Sequence, residues 1–96
     1  MKISEYRDAI DAIDQKLLEL LNQRARLALK IGFEKFENRL SVKSTDREQS
    51  IFDALFQANN GPLQEQHIRE IFTAIFSASR KLQHLYQSYE DVWSHQ

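Results

Sequence analysis

Gly32, Gly61 and Pro62 are the only helix breakers in a chain of 96 residues, and that scarcity constrains the fold more than any other feature. Proline removes a backbone donor and clashes with the preceding turn, while glycine loses the most backbone freedom on ordering. Where both are rare, long helices are the default. No strand-like alternation of any length competes with them.

The first segment carries a sustained apolar seam. Ile3, Tyr6, Ile10, Ile13, Leu17, Leu20, Arg24, Leu27 and Ile31 follow one another in alternating steps of three and four, the spacing of a helix packed lengthwise on other helices. A helix from about Ser4 to Asn38 would be roughly 50 Å long. A compact monomer of this size is only ~32 Å across. The helix overshoots that diameter, so its overhang must be buried against a second chain or leave apolar turns in water. This predicts a homodimer.

The stretch from Glu37 to Ser44 loses the pattern and reads as a connector. Thr45-Asp46-Arg47-Glu48 then has the form of a capping box, a hydroxyl at the cap and a glutamate three residues on. A short helix follows, with Ile51, Phe52, Leu55 and Phe56 on its apolar face, and Asn59-Asn60-Gly61-Pro62 stops it. A third helix is predicted from about Leu63 to Trp93. Its seam is Ile68, Phe72, Ile75, Ser79, Leu82 and Tyr86, widened by Ile71 and Phe76. Fraying is expected at Ser94-His95-Gln96. The expected fold is all-α, with a long, a short and a long helix in one domain spanning 1–96.

Composition excludes several functions. Apolar residues make up 42% and charged residues 28% of the chain, a globular balance rather than a disordered one. The absence of cysteine excludes disulfides and thiolate metal sites and fits the reducing cytoplasm. A formal net charge of −1 does not suit a general nucleic-acid or acidic-membrane binder, so any anion recognition must be local. The acid-bearing start, Met1 to Asp8, is unlike a signal peptide, and no stretch approaches the ~20 apolar residues that span a bilayer.

The candidate functional residues are those of the wrong kind for their seam. Arg24 holds an interior position, with Leu20, Leu21, Leu27 and Ala28 around it and no acid one turn away. A buried guanidinium needs an anionic partner; otherwise it snorkels to the surface or pairs with an acid from another helix. Lys35 lies three turns later at nearly the same azimuth, over Ala28 and Ile31, although a lysine near a helix end is commonly solvated. Ser79 and Gln83 point to one side of the third helix. A buried serine can bond its own helix, whereas a buried glutamine is rarely left unpaired. Arg47 near a helix N-terminus calls for compensation against the macrodipole. Arg7 is about 25 Å from Arg24 along the same helix and on another face, so the two can share a ligand only across a dimer.

Other chemistries find no support. His67, His84 and His95 have no metal-ligand spacing, and there is no phosphate loop or hydroxyl–histidine–acid arrangement. Phe33, Phe36, Phe52, Phe56, Phe72 and Phe76 read as packing, as does the stripe Tyr86, Tyr89 and Trp93.

From Tyr6 to Gln87 the chain resembles the all-helical class of chorismate mutase. Three blocks carry the likeness: Arg7, Ile10, Asp14, Lys16-Leu17-Leu18, Leu20-Leu21, Arg24, Gly32 and Lys35; then Asp46-Arg47-Glu48; then Ile71-Phe72 leading to Ser79 and Gln83. The resemblance implies an intertwined homodimer of three-helix subunits that rearranges chorismate to prephenate in phenylalanine and tyrosine biosynthesis, without cofactor or metal. It implies that Arg24 and the partner subunit's Arg7 clamp the two substrate carboxylates. Lys35 and Gln83 would flank the ether oxygen, Ser79 would help hold a carboxylate, and Arg47 would stand in the polar wall. Glu48 would accept from the ring hydroxyl; capping competes for the same carboxylate, and the resemblance favours the ligand. Two positions depart from the family pattern. Ser44 stands where an acid is common, a change without consequence if only the backbone there meets the ring hydroxyl. Arg80 stands where an apolar neighbour of the pocket is expected. Isochorismate–pyruvate lyase is an alternative, against which the intact Asp46-Arg47-Glu48 block speaks. A non-catalytic helical dimer or regulatory module is another, against which the joint placement of Arg24, Ser79 and Gln83 speaks.

Overall fold

The computed structural model describes residues 2–94, with side chains described as far as Leu85. The described residues form three helices: α1 (Ile3–Glu37), α2 (Thr45–Ala58) and α3 (Glu65–Ser94). The long-short-long order and the all-α class are as the breaker distribution predicts.

Helix α1 runs 35 residues without interruption. Its C-terminus closes in a Schellman arrangement: Arg39 N–H donates to Phe36 O at 3.2 Å and Leu40 N–H to Lys35 O at 2.7 Å. Arg39 takes the left-handed conformation this closure needs, with φ 56°. The connector is not loose, because Val42 is buried at 8% exposure.

Helix α2 begins at Thr45, with Ser44 at the cap position and no side-chain capping bond. The expected capping box therefore does not form. Thr45 is already helical, and Glu48 lies one residue too far along to reach back to the cap. Asn59 ends the region by accepting from Gly61 N–H at 3.0 Å and donating to Leu63 O at 2.6 Å. Gly61 has φ 77°, a turn geometry that favours glycine. This turn delays α3 by two residues from its expected start at Leu63. His67 then accepts from Gln64 N–H at 3.0 Å and closes the first turn of α3, a local role its spacing did not disclose.

Helix α3 packs on both α1 and α2, whereas α1 and α2 do not approach each other through their backbones. The core between α2 and α3 is aromatic. Phe52 and Phe76 meet edge to face at 5.2 Å, Phe56 stacks on Phe52 at 6.0 Å, and Phe72 lies 6.1 Å from Phe76. Such pairs add about 0.5–1.5 kcal/mol each beyond burial. Arg69 covers the outer faces of Phe52 and Phe56 at 5.2 and 4.9 Å. The seam positions Tyr86, Tyr89 and Trp93 lie outside the described side chains. The fraying expected at the C-terminus lies outside the described residues for His95 and Gln96, while Ser94 still belongs to α3.

The molecule is elongated, 59 × 28 × 15 Å with a radius of gyration of 17.1 Å, where a compact chain of this size would have ~12–13 Å. The excess is the N-terminal part of α1. Its seam is in water within one chain: Ile10 is 54% exposed, Leu17 50% and Leu20 58%.

Candidate active site

Because α1 and α2 are held apart by α3, an open cleft of about 280 Å³ lies between them, near the lower end of the size of small-molecule sites. Its apolar floor includes Ala28, Ile31, Ile51 and Phe76. The polar residues come from all three helices and the connector, and they include Arg24 and Ser79, the polar residues standing in the apolar seams.

Arg24 and Lys35 both reach the cleft from α1, about 16 Å apart along the axis at eleven residues of separation. Arg24 is half-buried, donates to Ser79 Oγ at 2.8 Å and lies 5.6 Å over the Phe76 ring. Both partners are neutral. Among the described residues no carboxylate forms an ion pair with it, so a guanidinium with five donors keeps its charge uncompensated. Lys35 Nζ donates to Val42 O at 3.0 Å, which fixes the ammonium at the cleft and leaves two of its three hydrogens available.

Gln83 is the buried polar residue of the site, 6% exposed. Its Nε2 donates to Ala28 O at 2.7 Å. A carbonyl can only accept, so this bond sets the amide orientation and leaves one further N–H for a ligand. The approach of α3 to α1 here depends on Gly32. A Cβ at that position would lie 2.8 Å from Gln83 Cγ. A lone glycine inside a helical pattern commonly marks such an approach, and that signal lay in the sequence without being connected to Gln83.

Ser44, Arg47 and Glu48 line the opposite wall. Arg47 is exposed and reaches Ser50 Oγ at 3.5 Å, a weak contact that leaves its charge available. The Glu48 carboxylate is bound by Arg80. Arg80, at the position where an apolar neighbour was expected, lines the cleft beside Ser79 and Gln83. Arg7, by contrast, is exposed on the outer part of α1 and is not among the cleft residues. One chain thus brings together Arg24, Lys35, Ser44, Arg47, Glu48, Ser79 and Gln83, and leaves out Arg7. Among the described residues no group of three or more His, Asp and Glu side chains is placed to hold a metal ion.

The cleft can hold an anion with more than one negative group. Uncompensated cations from Arg24, Lys35 and Arg47 surround an apolar floor, with neutral donors between them and a neutralised carboxylate on one side. No pair among the described cleft residues has the form of a nucleophile and its base.

Comparison with known proteins matches residues 6–84 to the family described as chorismate mutase type II. A bifunctional chorismate mutase/prephenate dehydratase of Aquifex aeolicus is 34% identical over 99% of this chain, and the Escherichia coli protein of the same description is 32% identical over 76%. The chain spans 28% and 19% of the lengths of those two relatives. Among solved structures, chorismate mutase (form II) from Thermus thermophilus superposes with a TM-score of 0.84 at 32% identity, covering 88% of this chain and 96% of that one. Chorismate mutase from Helicobacter pylori in complex with prephenate gives 0.84 at 31% identity, covering 90% and 93%.

Proposed function

The chain belongs to the chorismate mutase type II family, an all-helical family of isomerases, and from that premise we propose that its cleft rearranges chorismate to prephenate. The observation that carries this is Arg24, half-buried with a hydroxyl and a phenyl ring as its partners among the described residues. Leaving such a cation unpaired costs stability, and a carboxylate ligand supplies what the fold omits.

The reaction suits the residues. Chorismate rearranges in a single unimolecular, pericyclic step, so neither nucleophile nor general base is needed. The enzyme must hold the enolpyruvyl arm folded over the ring. Arginine does this with a fixed fork that matches a carboxylate. Arg24 takes one carboxylate, with Ser79 steadying both. As the carbon–oxygen bond breaks, negative charge grows on the ether oxygen. The free hydrogens of Lys35 and Gln83 meet that charge and stabilise the transition state more than the substrate. Arg47 contributes positive potential to the wall, while Ser44 and Glu48 meet the ring hydroxyl.

The second carboxylate clamp is the partner subunit's Arg7. The exposed α1 seam supports a homodimer, and so does a second groove of about 330 Å³ at the α1–α3 crossing, lined by Leu21, Ala25, Ala74 and Ala78. Burying the seam at about 25 cal/mol per Å² supplies the driving force that a lone subunit lacks. Residues 1–96 act as one mutase unit in this reading. Its proposed compartment is the cytoplasm, consistent with the absence of cysteine; none of the described helices is long and apolar enough to cross a membrane.

The test is ultraviolet decay of chorismate with the purified chain and an Arg24→Ala control. Prephenate formed by the first and not the second supports the reading. No turnover from a folded dimer overturns it and points to a non-catalytic module, while pyruvate released from isochorismate points to the lyase.

A further inference from the structure

Arg80 binds Glu48, the one acid among the described cleft residues, and the geometry of that pair suggests a purpose. At about 100° per residue, Ser79, Gln83 and Arg80 lie in that order across one face of α3. Ser79 engages Arg24, Gln83 engages Ala28, and Arg80 engages Glu48 across the gap to α2. The two side chains of the Arg80–Glu48 pair keep 26% and 24% exposure, so the pair sits at the cleft wall rather than sealed in the core. Arg80 holds Oε2 of Glu48, and no other side-chain or backbone donor reaches that carboxylate among the described residues. Oε1 remains free to accept.

We propose that Arg80 is a positioning residue that makes Glu48 selective for the ring hydroxyl of the substrate. A bare carboxylate in this cleft would face a dianion and turn away from it, toward solvent or toward Arg47. Bound through Oε2, it is neutralised and cannot rotate. Its free oxygen then accepts a hydrogen bond from the ring hydroxyl without repelling the substrate carboxylates. The inference rests on the reading of Glu48 as the hydroxyl acceptor.

The experiment compares kcat/KM for chorismate with that for the analogue lacking the ring hydroxyl. A hydrogen bond to a charged acceptor corresponds to a preference of about 10- to 100-fold for chorismate. Arg80→Met is expected to bring that preference within about threefold of unity, chiefly through KM, and Arg80→Lys to restore most of it. In a Glu48→Gln background, Arg80→Met should change the preference no further, since coupled residues are non-additive. A loss of stability alone does not alter a ratio between two substrates, so a purely structural role leaves the preference intact. If Arg80→Met keeps the wild-type preference while Glu48→Gln loses it, the role given to Arg80 is wrong and the reading of Glu48 stands. If the wild-type protein shows no preference, or Glu48→Gln retains it, both fall together.

Discussion

Gly32 and Gln83 meet where α1 crosses α3, so closely that a Cβ on the glycine would lie 2.8 Å from Cγ and 3.1 Å from Cβ of the glutamine. These are not atoms at the tip of a flexible side chain, so a methyl group there must move helix against helix. Gly32→Ala gains roughly 0.8–1 kcal/mol in helix propensity and loses about 1–3 kcal/mol to overpacking. Stability should therefore fall by no more than about 2 kcal/mol. Turnover should fall much further, by about 10²-fold, because the Gln83 amide is displaced from the position that the proposed mechanism gives it beside the ether oxygen. Parallel thermal melts and kcat measurements separate the two effects.

Gln83 faces a carbonyl that can only accept, at 2.7 Å. A glutamate in its place can donate only when protonated, and burial against Ala28 O raises the introduced carboxyl above its ordinary range. Gln83→Glu should therefore be nearly inactive at neutral pH and recover as pH falls. The wild-type amide donates at any pH and requires no acidic medium. A variant with a flat or falling profile toward acid would remove Gln83 from the role given to it.

In the proposed mechanism Arg24 trades stability for binding. Arg24→Met removes a hydrogen bond and a cation–π contact, each near ~1 kcal/mol, and also removes the desolvation cost of an unpaired charge. Chemical denaturation should place the variant within about 1 kcal/mol of wild type. Its kcat/KM should fall by about 10²–10³-fold, the cost of a lost carboxylate contact. Destabilisation well beyond that range would make Arg24 a structural residue.

Arg7 is absent from the cleft of its own chain, which makes sharing between subunits testable by complementation. Arg7→Ala and Arg24→Ala should each be nearly inactive alone. Unfolded together and refolded, they should regain about a quarter of wild-type turnover, since half of random dimers are mixed and each mixed dimer has one intact site of two. Leu17→Glu, in the exposed seam, should give a monomer by light scattering and abolish activity. Full activity in that monomer would end the shared-site reading.

Arg39 closes α1 in the left-handed region at φ 56°, where a side chain costs about 1 kcal/mol. Arg39→Gly should raise the unfolding free energy by about 0.5–1 kcal/mol, measured by urea titration, with kcat unchanged because Arg39 does not line the cleft.

The three helices follow from pattern alone, because breaker placement and the periodicity of apolar residues are local properties of the chain. The same patterns exposed Arg24, Ser79 and Gln83, since a polar residue at an interior position conflicts with its own neighbours. The length of α1 also carried its meaning locally: a 35-residue helix is longer than any compact fold of this chain. The pairings across helices were decided elsewhere. Glu48 resembled a capping residue until the helix began one position earlier than the capping box requires, which left its carboxylate to Arg80, 32 residues away. Val42 looked like connector until its side chain was buried and its carbonyl held Lys35. Gly32 was an isolated breaker until α3 was laid against it. Periodicity reports which face of a helix is buried, but not the rotation and height at which two faces meet. Those depend on the packing of the whole chain, and they select the partner for each polar group in the cleft.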